Sequence, residues 1–380
     1  MLMPDQVLAY ADCAINPNDL ADLLEAFDLV ESHGWGYDSG ATYANRVVPF
    51  SRAKVMGGCS SHNGCAAIWG HRLDYDGWAA AGNDGWAADE IRPVLQFVSE
   101  SMRVRQPGAD EITPFHRTML DAAMAVGIPM ASDLNDLDDP IGMAPSPANI
   151  WNGIRWNAGF AFLDPLRGQD NLQIVGDAQV HRVVLEGNRA VAVEVRHAGL
   201  LRTIQAGTVV IAGGTYNSPE VLLRSGIGPA DDLRALGIDS SLNLPGVGRN
   251  LHDHPAIYLE LTGSDAMKGA CSAWAETHWM PEEQTIAKLR SNQTTEAFDI
   301  HIYPEGGPYA ENRTQWDFTI PVSCMTPRSR GSLRLRSANP DDGLIIDHNY
   351  LGDPDGHDLA VLVDGFRIAR QLIAEANRVN

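Results

Sequence analysis

The stretch Arg52-Ala-Lys-Val-Met-Gly-Gly-Cys-Ser-Ser-His-Asn-Gly-Cys-Ala-Ala-Ile-Trp69 decides how the rest of the chain is read. Gly57 and Gly58 are adjacent, small polar residues follow, and an apolar run begins at Ala66. Glycine lets a backbone turn sharply and approach a ligand closely, and a helix start beyond it offers free amides. The pattern predicts a cofactor-binding turn that hands over to a buried helix.

A second glycine pair lies further on. Thr208-Val-Val-Ile-Ala212 is a short apolar run of the kind a buried parallel strand presents, and Gly213-Gly214 follows at once. Ser218 and Pro219 then supply an N-cap and a first-turn proline. Strand, glycine turn and helix in that order bring backbone amides to a cofactor in α/β proteins.

Periodicity fills in the remainder. Leu20, Leu23, Leu24, Phe27 and Val30 recur at helical spacing, which predicts an amphipathic helix over 19–32 stopped by Gly34. Ile91, Val94, Leu95 and Val98 predict a second helix to about Ser101, starting near Asp89 so that Pro93 falls in its first turn. A third is expected from Pro114 to Val126, ended by Gly127. The Asp-, Pro- and Asn-rich residues 132–152 read as loop. Alternation then predicts strands over 172–175, 179–185 and 190–195, with 186–189 as the hairpin turn.

Composition excludes several classes. The 380 residues are 44% hydrophobic, enough for a sizeable core. Net charge is −21 and no run of Lys or Arg forms a basic stripe, so nucleic acid and anionic membrane are not expected partners. No segment reaches 18 uninterrupted apolar residues and the start lacks an export signal. Cys13, Cys59, Cys65, Cys271 and Cys324 are odd in number and scattered, which fits reduced thiols in a cytoplasmic protein.

The order Gly57-Gly58-Cys59-Ser60-Ser61-His62-Asn63 resembles the first signature of the glucose-methanol-choline family of flavin oxidoreductases, and within it the choline oxidases. Gly214 to Gly228 resembles the family's second signature, and Pro245 to Pro255 the segment that follows it. Arg330-Gly331-Ser332, Asp347, Tyr350 and Asp353, then a helix bearing Leu359, Leu362 and Phe366, also resemble the family. The resemblance spans most of the chain and implies an α/β fold. In it, an FAD-binding Rossmann-like domain (1–115 and 163–255) is interleaved with an α+β substrate domain built on an antiparallel sheet (116–162 and 256–380). It implies oxidation of the CH-OH group of an alcohol, choline-like or another primary alcohol, by hydride transfer to flavin.

Two departures accompany it. No G-x-G-x-x-G occurs anywhere, so the first βαβ unit of such a domain is missing from this sequence, and the family's catalytic histidine falls beyond Asn380. The sequence is therefore expected to be truncated at both ends. The alternative reading is a catalytically silent fragment or the partner subunit of a split enzyme, working as a homodimer or with a complementing chain.

The resemblance assigns cofactor contacts to Gly57, Gly58, Ser60, His62, Asn63, Val180, Gly213, Gly214 and Tyr216. His62 stands where choline oxidases attach flavin covalently; its bland reading is a hydrogen-bonding loop histidine, and that of Asn63 is a helix N-cap. His301 and Tyr303, on an expected strand Phe298–Tyr303, would face the alcohol. His252 and His254 alternate but lack further ligands at useful spacing, so no metal site is expected. Where choline oxidases carry a glutamate for the quaternary ammonium, this chain has Ala256, which removes the main attraction for a cation. Trp69, Trp274 and Trp279 serve as pocket lining or as core.

Overall fold

A computed structural model describes residues 34–38, 47–138, 140–278, 283–308 and 316–379. The helix expected over 19–32 lies outside the described residues, as do Cys13 and Trp279.

Local chemistry sets the first helices. α1 (Arg72–Ala80) is capped by His71, whose Nδ1 accepts the Leu73 amide while Asp74 accepts the His71 amide, at 3.1 and 2.8 Å. α2 (Ala88–Ser101) begins ahead of Asp89, so Pro93 sits beyond the first turn rather than in it. The carboxylates of Glu90 and Asp76 accept the Ala87 and Ala88 amides, satisfying the helix start and drawing it forward of the proline. α3 (Pro114–Ala125) starts where the sequence predicts, with Pro114 at its first position and Thr113 as its cap.

The stretch 132–152, expected as loop, contains β1 (Gly142–Pro145), which pairs with Thr285–Lys288 far along the chain. Only tertiary pairing makes it a strand. β2 (Ala178–Glu186) and β3 (Arg189–His197) form the expected hairpin, and β4 (Leu200–Gln205) extends it. Leu172–Val175 and Thr208–Ala212 are not strands. No described strand runs beside the second run, and Val210 is 84% exposed. α4 (Gly214–Arg224) starts at Gly214, which places Ser218 and Pro219 inside it. Its first turn is anchored by the buried Tyr216, whose hydroxyl lies 3.1 Å from His348 Nε2.

β5 (Arg249–Leu251) leads into β6 (Ala256–Leu261), α5 (Asp265–Ala275), β7 (Thr285–Leu289), β8 (Ile300–Ile302), β9 (Glu305–Pro308) and β10 (Trp316–Cys324). β11 (Gly331–Leu335), β12 (Leu344–Asp347) and α6 (His357–Val379) follow. The largest sheet is antiparallel in the order β6-β10-β8-β7-β1, with β9 also on β10; β5, β11 and β12 make a separate one. α/β content and an antiparallel sheet agree with the sequence reading. No helix among the described residues is long and apolar enough to cross a membrane.

Both faces of the large sheet are covered. On one, Ala287, Ile300, Ile302, Val322 and Cys324 share a core with Met119 of α3 and Val361 and Leu362 of α6. Gly365 admits that helix closely: a Cβ there would collide with the Val322 side chain. On the other, Ala144 and Ile286 pack with Leu134 against Ala66, Ile68 and Tyr303. Register aligns Ala256, Ser323, His301, Lys288 and Gly142 in one row across this second face. Gly365→Val will therefore lower stability by about 1–3 kcal/mol in denaturant melts, because a packed interface resists added volume. Gly77→Ala in α1, where nothing lies within 4 Å of the new methyl, will instead raise stability by about 0.5–1 kcal/mol.

Candidate active site

The opening turn is built by its own small residues. Gly57 has φ +83°, and a Cβ on it would meet Ser61 Oγ at 2.7 Å and Asn157 Oδ1 at 3.1 Å. Gly58–Ser61 forms one short 3-10 turn. Ser60 Oγ donates to the Gly57 carbonyl at 2.7 Å and accepts the Ala158 amide at 2.9 Å. The expected helix beyond the turn is absent: Ala66 bridges Ala148, the Ala67 amide donates to the Pro147 carbonyl, and α1 starts only at Arg72. Asn63 is accordingly no helix cap. Its Oδ1 accepts the Cys65 amide at 3.2 Å and Arg155 Nη1 at 3.0 Å, and Arg155 also donates to its carbonyl.

His62 is half-buried beside this turn, and its Nε2 has no hydrogen-bond partner. Burial first, then the neighbouring guanidiniums of Arg155 and Arg52, pull its pKa below the ordinary value. The imidazole is thus neutral at pH 7, with a nitrogen lone pair available.

A cleft of ≈ 940 Å³ joins the two glycine turns. Its walls include Gly58 and Cys59 of the first, Ala212 to Asn217 of the second, and Ala178 and Gln179 of β2. Arg52, Lys54 and Arg196 bring positive charge to it. Arg196 is held by Asp341 at 2.5 Å, Arg52 lies over the Tyr216 ring at 5.1 Å, and Lys54 over Trp35 at 4.7 Å. The Tyr216 hydroxyl is hydrogen-bonded to His348, and the residue lines the cleft. Val180, on β2, lines a smaller recess of ≈ 170 Å³ that shares Trp35, Gln179 and Asn217 with the main cleft. The volume is of the size cofactor sites have.

His301 and Tyr303 sit away from that cleft, at the second face of the large sheet. The strand there is shorter than expected, so His301 is in β8 and Tyr303 just past it. His301 Nε2 is buried without a partner. Desolvation, then the charges of Lys288 and His254, hold its pKa well below the usual histidine value. Ser323 Oγ donates to the Tyr303 hydroxyl at 3.2 Å, and burial raises that phenol's pKa. His252 and His254 do not converge: His252 Nδ1 bonds the Asn250 carbonyl at 2.8 Å, whereas His254 lies near His301. Trp69 is packing, in a cluster with Tyr75, Ala88, Ile91 and Leu137.

Two residues escape sequence reading. Arg155, 8% exposed, clamps Asn63 from 92 positions away, and nothing in its own surroundings marks it. Lys288 is fully buried in the middle of the sheet. Its one sequence signal is a charge inside the apolar run Ile286–Leu289.

The N-terminal pattern of the GMC oxidoreductases matches residues 29–256 and the C-terminal pattern residues 327–380. The oxygen-dependent choline dehydrogenase of Brucella canis is 31% identical over 384 residues, covering 91% of this chain and 68% of the relative. The choline oxidase of Arthrobacter globiformis is 30% identical, covering 92% and 67%. Among solved structures, pyridoxine 4-oxidase from Mesorbium loti superposes with TM-score 0.80 at 26% identity, over 94% of this chain and 72% of that one. Formate oxidase of Aspergillus oryzae RIB40 shares the fold, with TM-score 0.77 at 21% identity over 94% and 74%. With both family patterns matched and the two glycine turns lining one cleft, this chain is an oxidoreductase of the GMC flavoprotein family.

Proposed function

We propose that the chain binds FAD in the ≈ 940 Å³ cleft and serves the oxidation of an uncharged primary alcohol at the second face of the large sheet. The observation that carries the reading is the cleft itself, lined by Gly58 and by Gly213 and Gly214 together. The residues present fit the cofactor. Gly58 and Gly214 have positive φ with open space on the Cβ side, and His62 offers an orphaned buried nitrogen at the same turn. Gly57, Ser60, Asn63 and Arg155 shape that turn, Tyr216 gives the cleft a ring face, and Val180 lines the adjoining recess for the adenine end. Bound there, the flavin supplies the hydride acceptor.

At the alcohol site, His301 Nε2 accepts a hydrogen bond from the hydroxyl, and Tyr303 walls the same face. Of the division into a cofactor domain (1–115 and 163–255) and a substrate domain (116–162 and 256–380), the grouping of α3 and β1 with the large sheet is supported, because they pack with strands that all lie after residue 255. β11 and β12 instead form a sheet with β5 and share a core with Tyr216, Leu223 and Leu251, which supports grouping 331–347 with the cofactor domain. A cytoplasmic setting is supported by free thiols at Cys59, Cys65, Cys271 and Cys324.

Burial and the nearby guanidiniums favour a neutral His62, and its buried, unpartnered Nε2 beside the first glycine turn supports covalent flavin attachment. Flavin absorbance should then remain in the acid-precipitated pellet of the unmutated protein and move to the supernatant for His62→Ala; flavin released equally from both would refute the linkage. The alcohol preference follows from Ala256. Uncharged primary alcohols should be oxidised with higher kcat/KM than choline, and Ala256→Glu should raise kcat/KM for choline at least tenfold by restoring a carboxylate. Equal choline kinetics in the two proteins would count against the placement of the alcohol on this face.

A further inference from the structure

Lys288 has no counterpart among the roles assigned above, and its surroundings are unusual. It is 0% exposed on β7, in a protein interior where unpaired lysines are rare. Nζ donates to the carbonyls of Trp69 and Leu134, each at 2.7 Å, and lies 4.6 Å from the Phe298 ring centroid. Phe298 in turn stacks on the His301 imidazole, with ring centroids 5.2 Å apart and planes at 18°. Lys288 and His301 are direct cross-strand partners. Ammonium, aromatic ring and imidazole therefore form one continuous stack beneath the alcohol face.

We propose that Lys288 is a positioning residue for the reaction, a buried cation that keeps the adjacent His301 imidazole neutral, so that Nε2 stays free to accept the alcohol hydroxyl. This rests on the alcohol role given to His301 above. A second positive charge on the imidazole would sit next to the ammonium in a dry interior, where like charges repel strongly. The groups facing His301 are consistent with this: Lys288 from β7 and His254 from the segment before β6 both disfavour its protonated form, and Ser323 of β10 is uncharged. Around Lys288 itself, Asp74 of α1 and Asp133 favour the ammonium, two backbone carbonyls accept from it, and burial brings its pKa down to about 7. It is an ammonium over the acidic range in which a free imidazole would take up its proton.

The test uses the full chain loaded with flavin and labelled with 15N-histidine, with His301→Asn assigning the resonance. In the unmutated protein and in Lys288→Arg, the His301 ring nitrogens should keep neutral-imidazole shifts down to pH 5.5. In Lys288→Met and in Lys288→Gln, which retains donors without the charge, the His301 midpoint should rise by at least one pH unit, a tenfold gain in proton affinity. An unchanged midpoint in a folded neutral variant overturns the proposal. Alcohol kcat/KM, read separately, should fall at pH 6 in the neutral variants in step with the measured midpoint, about twofold for a midpoint of 6 and about tenfold for one of 7, and recover by pH 8.5. A shifted midpoint with an unaltered rate profile would confirm the effect of Lys288 on His301 and overturn the hydroxyl-accepting role, and with it Lys288's part in the reaction.

Discussion

Two hydrogen bonds from the Lys288 ammonium tie the large sheet to the two segments lying over it, one to the Trp69 carbonyl after the first glycine turn and one to the Leu134 carbonyl in the loop before β1. A cation in that position is tolerable only because carbonyl oxygens and the Phe298 ring replace part of its hydration. The same bonds explain why residues 66–71 are not the helix their apolar run predicts. In a helix the Trp69 carbonyl would be taken by the amide four residues on; here it is turned toward the sheet, while Ala66 and Ile68 cover Leu134, Ala144 and Ile286. The first glycine turn and the second face of the large sheet are thereby held in one packed unit.

Charge is distributed against the character of the whole chain. Net charge is −21, yet the groups that depress His62 are Arg155 and Arg52, and those that depress His301 are Lys288 and His254. Both imidazoles are neutral for the same two reasons, burial and nearby positive charge. Elsewhere carboxylates pair with arginines at the surface, as Asp89 with Arg72 and Asp231 with Arg234, and such exposed pairs contribute little to stability.

Much of this was legible from local pattern. Pro114 and Gly127 marked α3, the alternation over 179–195 marked the hairpin, and the glycine pairs marked both edges of the cleft. What failed depended on contacts distant in sequence. Gly142–Pro145 has no strand pattern and becomes one only beside Thr285–Lys288, while Thr208–Ala212 has the pattern but no described neighbour. Pro93 and Pro219 were read as first-turn residues, but Asp76 in one case and the buried Tyr216 in the other fix the helix start earlier. Arg155 was invisible because its partner, Asn63, is brought to it only by the fold.

The row across the second face of the large sheet is not fixed by the core behind it. The row Ala256, Ser323, His301, Lys288 and Gly142 draws one residue from each of five strands, and the alternate residues of those strands carry the core against α3 and α6. Because side chains alternate between faces, a row position can change from carboxylate to methyl without moving an atom of that core. The backbone amides that pair Ala256 with Ser323 are likewise indifferent to the side chain. Within such a scaffold, the Gly57 turn is constrained by close backbone approach, whereas most of the row is not. Lys288 is the exception in that row: its ammonium is bonded to the Trp69 carbonyl as well as aligned with His301, so charge at this position is tied to the packing of the segment after the first glycine turn.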